Sequence, residues 1–201
     1  MQPFSVAPVT LEGEHARLAP LTDEHAAALL EAGRDPDVWR YMNSPPPRTV
    51  EDLRTWMARA LAAGQPQVPL VIIHRGSGRP AGSTRYFDIR VEHRALEIGH
   101  TWLGREFQRT PVNTECKLLL LRHAFETLGA YRVQFKTDAR NGQSQRALER
   151  IGAVKEGVLR RHVVLWDGYV RDSVYYSVID SDWPIVRGRL EGLLHRTASR
   201  T

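Results

Sequence analysis

Cysteine is nearly absent from this 201-residue chain. Cys116 stands alone, which excludes an internal disulfide framework and any zinc site built on several thiolates. Long apolar runs are also missing. The stretch Leu118–Leu121 is stopped by Lys117 and Arg122, and nothing approaches the roughly 20 residues of a membrane helix. Met1-Gln2-Pro3-Phe4-Ser5 has neither a basic region nor a long apolar one, so no secretory leader is expected and a reducing, cytoplasmic location is. Lysine is scarce: Lys117, Lys136 and Lys155 are the only three, so the formal charge of +5 rests on arginine. The arginines are scattered, with a mild bias at the end (Arg187, Arg189, Arg196, Arg200), and form no dense run of the kind that grips nucleic acid. Repeats and low-complexity segments are absent, and Pro45-Pro46-Pro47 reads as one stiff loop.

What is present suits one globular domain, with 42% hydrophobic residues. Val9 to Leu21 alternates as a first strand. Thr22 caps a helix that Gly33 ends, and Thr49 caps a second, to Ala63, with Leu53, Trp56, Met57, Ala60 and Leu61 at helical spacing. Val68–His74, Ala81–Ile89 and Leu96–Leu103 read as strands. Asn113 to Leu128 is the strongest helix, with a stripe of Leu118, Leu121, Phe125 and Leu128 closed by Gly129. A strand Tyr131–Lys136 and a short helix Ser144–Ile151 follow. Two strands, Val158–Leu165 and Tyr169–Ile179, then join at Trp166-Asp167-Gly168. This order predicts an α/β layer fold with a mixed, mostly antiparallel sheet of six to seven strands flanked by helices.

Two segments carry chemistry. From Trp102 to Phe125 a strand, a polar loop and a long helix aim free N–H groups and a positive dipole end at one point, a geometry suited to a pyrophosphate. Arg105 and Arg109 are placed to add charge-assisted bonds. Second, Asn141 and Ser144 stand where the short helix opens. They serve either as ordinary caps or as partners for an amide-bearing ligand between the two helices.

The run Thr114-Glu115, Leu119, His123-Ala124-Phe125 and Leu128-Gly129 resembles the central helix of the GCN5-related N-acetyltransferase superfamily. The similarity continues through Asn141-x-x-Ser144-x-x-Ala147-Leu148-x-x-Ile151-Gly152-Ala153, Glu156-Gly157-x-Leu159-Arg160, Asp167-Gly168, Asp172-x-x-x-Tyr176 and Asp182-Trp183. Within the superfamily the set is similar to the ribosomal-protein alanine N-acetyltransferases, and Leu11–Leu21 with Asp37-Val38-Trp39-Arg40-Tyr41 fits that subgroup's first half. The likeness spans roughly residues 8 to 184 and leaves 185–201 as a basic C-terminal extension. The pattern Ile185, Leu190, Leu193, Leu194 in that extension suits a helix packed on a second subunit, so monomer and homodimer both stay open.

The resemblance implies the acyl-CoA N-acyltransferase fold and acetyl-CoA as cosubstrate, with no metal. It places the pantetheine along Leu96–Leu103, Trp102 and Leu103 included. The diphosphate falls at Gln108, Arg109, Thr110, Val112, Asn113 and Thr114, with Asn141 and Ser144 beside the arm. Pro111 and Asn113 stand where the family pattern has small residues, and Pro111 has no N–H to donate. Acetyl transfer needs a base for the amine, a donor for the oxyanion and an acid for the thiolate. Glu97, on the acyl-bearing strand, is the candidate base, and His100 falls on the opposite face by alternation unless a bulge intervenes. The family's tyrosine acid is replaced by Ala147 and Leu148, leaving Ser144 and Tyr176 as candidates. Trp39, Tyr41 and Trp56 either line an acceptor pocket or pack in the core. The acceptor class is open among protein N-termini (ribosomal ones included), polyamines, aminoglycosides and small amines. A CoA-sensing or RNA-associated module on the same fold is the alternative, although no strand interleaves aromatic and basic residues as RNA binders do.

Overall fold

A computed structural model describes residues 3–62 and 66–198, with side chains through 196. The elements are β1 (Leu11–Glu12), β2 (Ala16–Pro20), α1 (Ala26–Ala32), α2 (Val50–Leu61), β3 (Val68–His74), β4 (Pro80–Arg90), β5 (Ala95–Leu103), α3 (Pro111–Arg122), β6 (Arg132–Asp138), α4 (Gly142–Ile151), β7 (Val154–Val164), β8 (Val170–Ile179) and α5 (Trp183–Ala198). They build one eight-stranded sheet in the order β1-β2-β3-β4-β5-β6-β8-β7. Every neighbouring pair is antiparallel except β5 with β6. The eighth strand arises because the alternating stretch Val9–Leu21 folds back on itself. Gly13 N–H reaches Ala16 O at 2.9 Å and Leu11 pairs with Leu18.

That fold-back is pinned from below. The Glu115 carboxylate, in the first turns of α3, accepts the backbone N–H groups of Glu14 (2.9 Å), His15 (2.6 Å) and Ala16 (2.6 Å). A Cβ on Gly13 would stand 2.4 Å from that carboxylate, so only glycine lets the chain come this close.

The sheet carries helices on both faces. On one, α3, α4 and α5 cover the main core through Val112, Cys116, Leu120, Leu148, Ile151, Val186 and Leu190, packed on Leu18, Ile72, Tyr86, Leu96, Ile98 and Val133. On the other, α1 and α2 cover only the β2–β5 half, around Trp39, Trp56 and Trp102, whose rings lie 5.0 to 6.2 Å apart. Trp39 and Trp56 are therefore core, whereas Tyr41 faces the cleft described below. Among the described residues, no helix covers the β6–β8 half of that second face.

Local chemistry explains most element boundaries. Thr49 and Asp52 form a reciprocal capping box at the start of α2. That helix ends at Leu61, and Ala63, in the expected span, lies outside the described residues. Asp23–His25 makes a 3-10 turn before α1. α3 starts two residues earlier than expected because Pro111 occupies its first position behind the Thr110 cap. α3 has buried residues all round, since it is pressed between the sheet and α5, and it widens into a π turn at His123–Thr127. Gly129 then leaves with φ +67°.

The stretch read as a C-terminal extension is, over its described part, the body of α5. Trp183 stacks on Phe125 at 5.5 Å and donates to Glu126, Leu190 is fully buried, and Glu191 pairs with Arg122. Leu190 and Leu194 thus pack on this chain's own core, while Ile185 faces solvent. Arg200 lies outside the described residues. Among the described residues no helix is long and apolar enough to cross a membrane.

Candidate functional site

The parallel pair β5–β6 is joined only at Ala95–Arg132, Leu96–Val133 and Glu97–Gln134. Beyond Glu97 the strands part. On its other side β5 pairs Gly99 with Arg85 and then Trp102 with Ser83, so His100 and Thr101 together oppose Thr84. This is a β-bulge, with His100 at φ +48°. The splay opens a cleft of about 660 Å³ lined by both strands, α3, α4 and the Asp35–Asn43 segment. The bulge also overturns the alternation argument for His100. The imidazole packs edge-on against Phe87 at 5.0 Å, and a Cβ on Gly99 would touch both Phe87 and Glu97, so all of these lie on one side of the cleft.

At the α3 end, Arg109 adopts the left-handed region (φ +60°), which turns the chain sharply into the helix. Pro111 fits the first turn and does not fill the cleft, which runs between Asn113 and Lys117 of α3 and Ser144, Ala147 and Leu148 of α4. The first-turn N–H groups lack intrahelical partners. Thr110 Oγ1 reaches one of them, Val112 N, at a long 3.4 Å. Trp102, Leu103, Gln108, Arg109, Asn113, Asn141 and Ser144 all line the cleft. Three expected cofactor residues do not bring their side chains there. Thr110 donates to Phe107 O, Val112 is buried in the core, and Thr114 accepts from Arg150. Arg105 is committed to Asp35 at 2.8 Å. Asn141 does cap α4, its Oδ1 accepting from Ser144 N at 3.0 Å, which leaves Nδ2 without a protein partner among the described residues.

These features fit a phosphorylated thioester carrier. Arg109 has no carboxylate partner among the described residues. Trp102 also belongs to the cleft wall, and its buried indole N–H has no hydrogen-bond acceptor among the described residues, a donor whose desolvation is uncompensated.

At the parting of the strands lies Glu97, 2% exposed. Its Oε2 accepts from Gln134 Nε2 at 2.9 Å and lies 3.7 Å from Lys136 Nζ. Burial raises its pKa, and Lys136 and Gln134 pull it partly back. His100 is pushed down to about 3 by burial and by the cations Arg85, Lys136 and Arg171, so its ring is neutral at ordinary pH.

Tyr176 is a correction. It is fully buried behind the sheet, donates to Glu149 at 2.8 Å and does not line the cleft; burial and that carboxylate push its pKa up to about 12. The strand period explains this: Tyr176 faces α4, whereas its neighbour Tyr175 faces Lys136 and His162. Cys116 is also core, its thiol pushed up to about 11 by burial.

Three site residues escape sequence reasoning. Lys136 had no signal beyond strand alternation. Lys117 stands one helical turn after Asn113 and so shares its face, a spacing that was available. Its ammonium is buried, bonds Thr101 Oγ1 at 3.0 Å and lies over the Phe135 ring, bridging the two splayed strands. It has no carboxylate partner among the described residues, and burial lowers its pKa. Arg171, on β8, lines the cleft at 5% exposure.

Comparison with known proteins agrees with this geometry. Residues 15–154 match the model of the acetyltransferase (GNAT) domain. A solved structure from T. thermophilus, assigned as an acetyltransferase, is 45% identical and superposes with a TM-score of 0.86 over 94% of this chain and 99% of that one. The uncharacterized N-acetyltransferase YoaA of Bacillus subtilis (strain 168) is 25% identical over 171 residues, covering 84% of this chain and 96% of that protein. RimJ of Mycobacterium smegmatis, solved with CoA-disulfide, shares the fold at 20% identity, with a TM-score of 0.79 over 96% and 97% of the two chains. A family match over residues 15–154, together with a 45% identical solved relative covered almost end to end, makes the chain a member of the GNAT family of N-acetyltransferases.

Proposed function

We propose that this enzyme transfers an acetyl group from acetyl-CoA to a primary amine by direct attack, with Glu97 as general base. The observation that carries the reading is a buried carboxylate standing where β5 and β6 separate, beside a cleft that ends at the N-terminus of α3. Acetyl-CoA supplies an activated acyl carbon and a thiolate leaving group. Arg109 and the first-turn N–H groups of α3 would hold its diphosphate, and Trp102, Leu103, Gln108, Asn113, Asn141 and Ser144 would line the rest of its path. The β5 backbone at the bulge lies beyond its last ladder pair with β6, and its N–H groups there would face charge developing on a carbonyl oxygen. Glu97 takes the amine proton. Its raised pKa makes it a stronger base than a solvated carboxylate, and Lys136 keeps it ionised.

With Tyr176 out of reach, Lys117 is the proposed proton donor to the thiolate, and Ser144 the alternative on α4. A buried ammonium with a lowered pKa gives up its proton readily and regains it from solvent after release. A small amine or a protein N-terminus is the acceptor in this scheme.

Glu97→Gln tests the base. Turnover is expected to fall about 100-fold or more while the calorimetric affinity for acetyl-CoA stays within about twofold. Unchanged turnover clears Glu97. Absence of acetyl-CoA binding by the wild-type protein removes the whole reading.

A further inference from the structure

The charges that line the cleft do not cancel, and the imbalance is local. Among the acids, Asp35 and Asp37 pair with Arg105, Asp138 is held by Arg140 at 2.8 Å, and Glu97 lies beside Lys136. Among the cations, Arg109, Lys117 and Arg171 have no carboxylate within ion-pair distance among the described residues. Arg109 belongs to the diphosphate end and Lys117 to the point where the strands part. Arg171 belongs to neither. It stands on β8, two strands from β5, on the uncovered face that carries Glu97, Lys136 and Tyr175.

The Arg171 guanidinium is built into that wall. Nε donates to Ser173 Oγ at 3.0 Å and Nη1 reaches Asn43 Oδ1 at a long 3.4 Å, so one neutral hydroxyl and one neutral amide orient the group without neutralising it. Asn43 comes from the segment after α1 and Ser173 from the sheet, so the two hold the guanidinium between the cleft's two walls. Its remaining donors meet no protein acceptor among the described residues. The side chain is largely buried, Asp138 and Glu97 oppose its charge only from beyond ion-pair distance, and an anionic ligand on its open donors would repay much of the desolvation. The fork of N–H donors matches the two oxygens of a carboxylate.

We infer that the acceptor is an amine that also carries a carboxylate, as a free amino acid does, with Arg171 binding the carboxylate while the amine meets Glu97. This rests on the acetyltransferase reading and narrows its acceptor. The same charge count disfavours polyamines and aminoglycosides. A polycation would need unpaired acids in the acceptor wall, and Glu97 and Asp138 are already opposed by Lys136 and Arg140.

The test is an acceptor panel in which free amino acids are each compared with their amide and their decarboxylated amine, alongside spermidine and a peptide with a neutral N-terminal sequence. Initial rates are run on wild type, Arg171→Gln and Arg171→Lys. Acetyl-CoA binding is measured calorimetrically on all three, and binding of the N-acetylated amino acids is measured in the presence of CoA. The expected result is at least a 10-fold preference in kcat/KM for the carboxylate over its amide. Arg171→Gln should abolish that preference mainly through KM, Arg171→Lys should restore part of it, and acetyl-CoA affinity should be unchanged throughout. N-acetyl amino acid binding should weaken in Arg171→Gln, a readout independent of turnover. Preference for spermidine, the peptide or the amides, or a carboxylate preference that survives Arg171→Gln, overturns the proposal. So does transfer to no carboxylate while acetyl-CoA binds, which leaves the acetyltransferase reading standing; failure of acetyl-CoA to bind overturns both.

Discussion

Glu97 and His100 sit three residues apart on one strand and are driven in opposite directions. Both are desolvated, which raises a carboxylic acid and lowers an imidazolium. For catalysis the consequence is an acid limb. Only the carboxylate form of Glu97 accepts a proton, so kcat/KM should rise with pH through a midpoint above the ordinary carboxylate value, and Glu97→Gln should flatten that limb. A pH–rate profile with its acid midpoint at or below the ordinary value of 4.5 would contradict the assignment. For stability the consequence lies with His100. Its folded pKa is depressed to about 3 from 6.5, so the unfolded chain binds a proton that the folded protein refuses across that window. Stability is intact above pH 6.5 and is lost as pH falls toward 3, by an amount on the order of 3 kcal/mol for this partly buried ring. His100→Asn suits the left-handed backbone there and should lessen the drop in urea midpoint between pH 7 and pH 4.5. An equal drop in both proteins would mean that other groups dominate.

Among the elements, α3 does two jobs from one end. Its first turn faces the cleft, and one turn later Glu115 holds three N–H groups of the β1–β2 fold-back. Glu115→Ala is expected to cost roughly 3–5 kcal/mol, because charge-assisted bonds are worth about 1.5–3 kcal/mol each and their donors would be left half-buried. Equilibrium denaturation measures this, and a loss under about 1 kcal/mol would show that water replaces the carboxylate. Glu115 illustrates what composition hides. In sequence it resembles any acid in a first helical turn, and only the approach of Gly13, about a hundred residues earlier, makes it an anchor. Two helix starts were readable, since Thr49 and Asn141 are local caps that act within three residues, whereas the Thr110 cap of α3 was missed.

For the whole molecule, α5 closes the core over α3 with Trp183, Val186 and Leu190. A chain ending at Asp182 is expected to aggregate or to lose cooperative thermal unfolding, because three buried apolar side chains worth about 1.5–3 kcal/mol each would leave α3 exposed. Soluble, cooperative unfolding of that truncation would mean that α5 is dispensable to the fold.

Most of the strand and helix order and the mixed, mostly antiparallel sheet were readable in the sequence alone, because hydrophobic period, caps and turn residues act over a few positions; the fold-back that makes two strands of Val9–Leu21 was not. The two sides of the cleft were not. His100 changes sides through a bulge that depends on pairing with β4, and Tyr176 turns its hydroxyl to Glu149 on α4. Lys117 and Arg171 have no ion-pair partner among the described residues only because of what packs around them. Which charges are neutralised is a property of distances between segments far apart in the chain, and only the tertiary structure sets those distances.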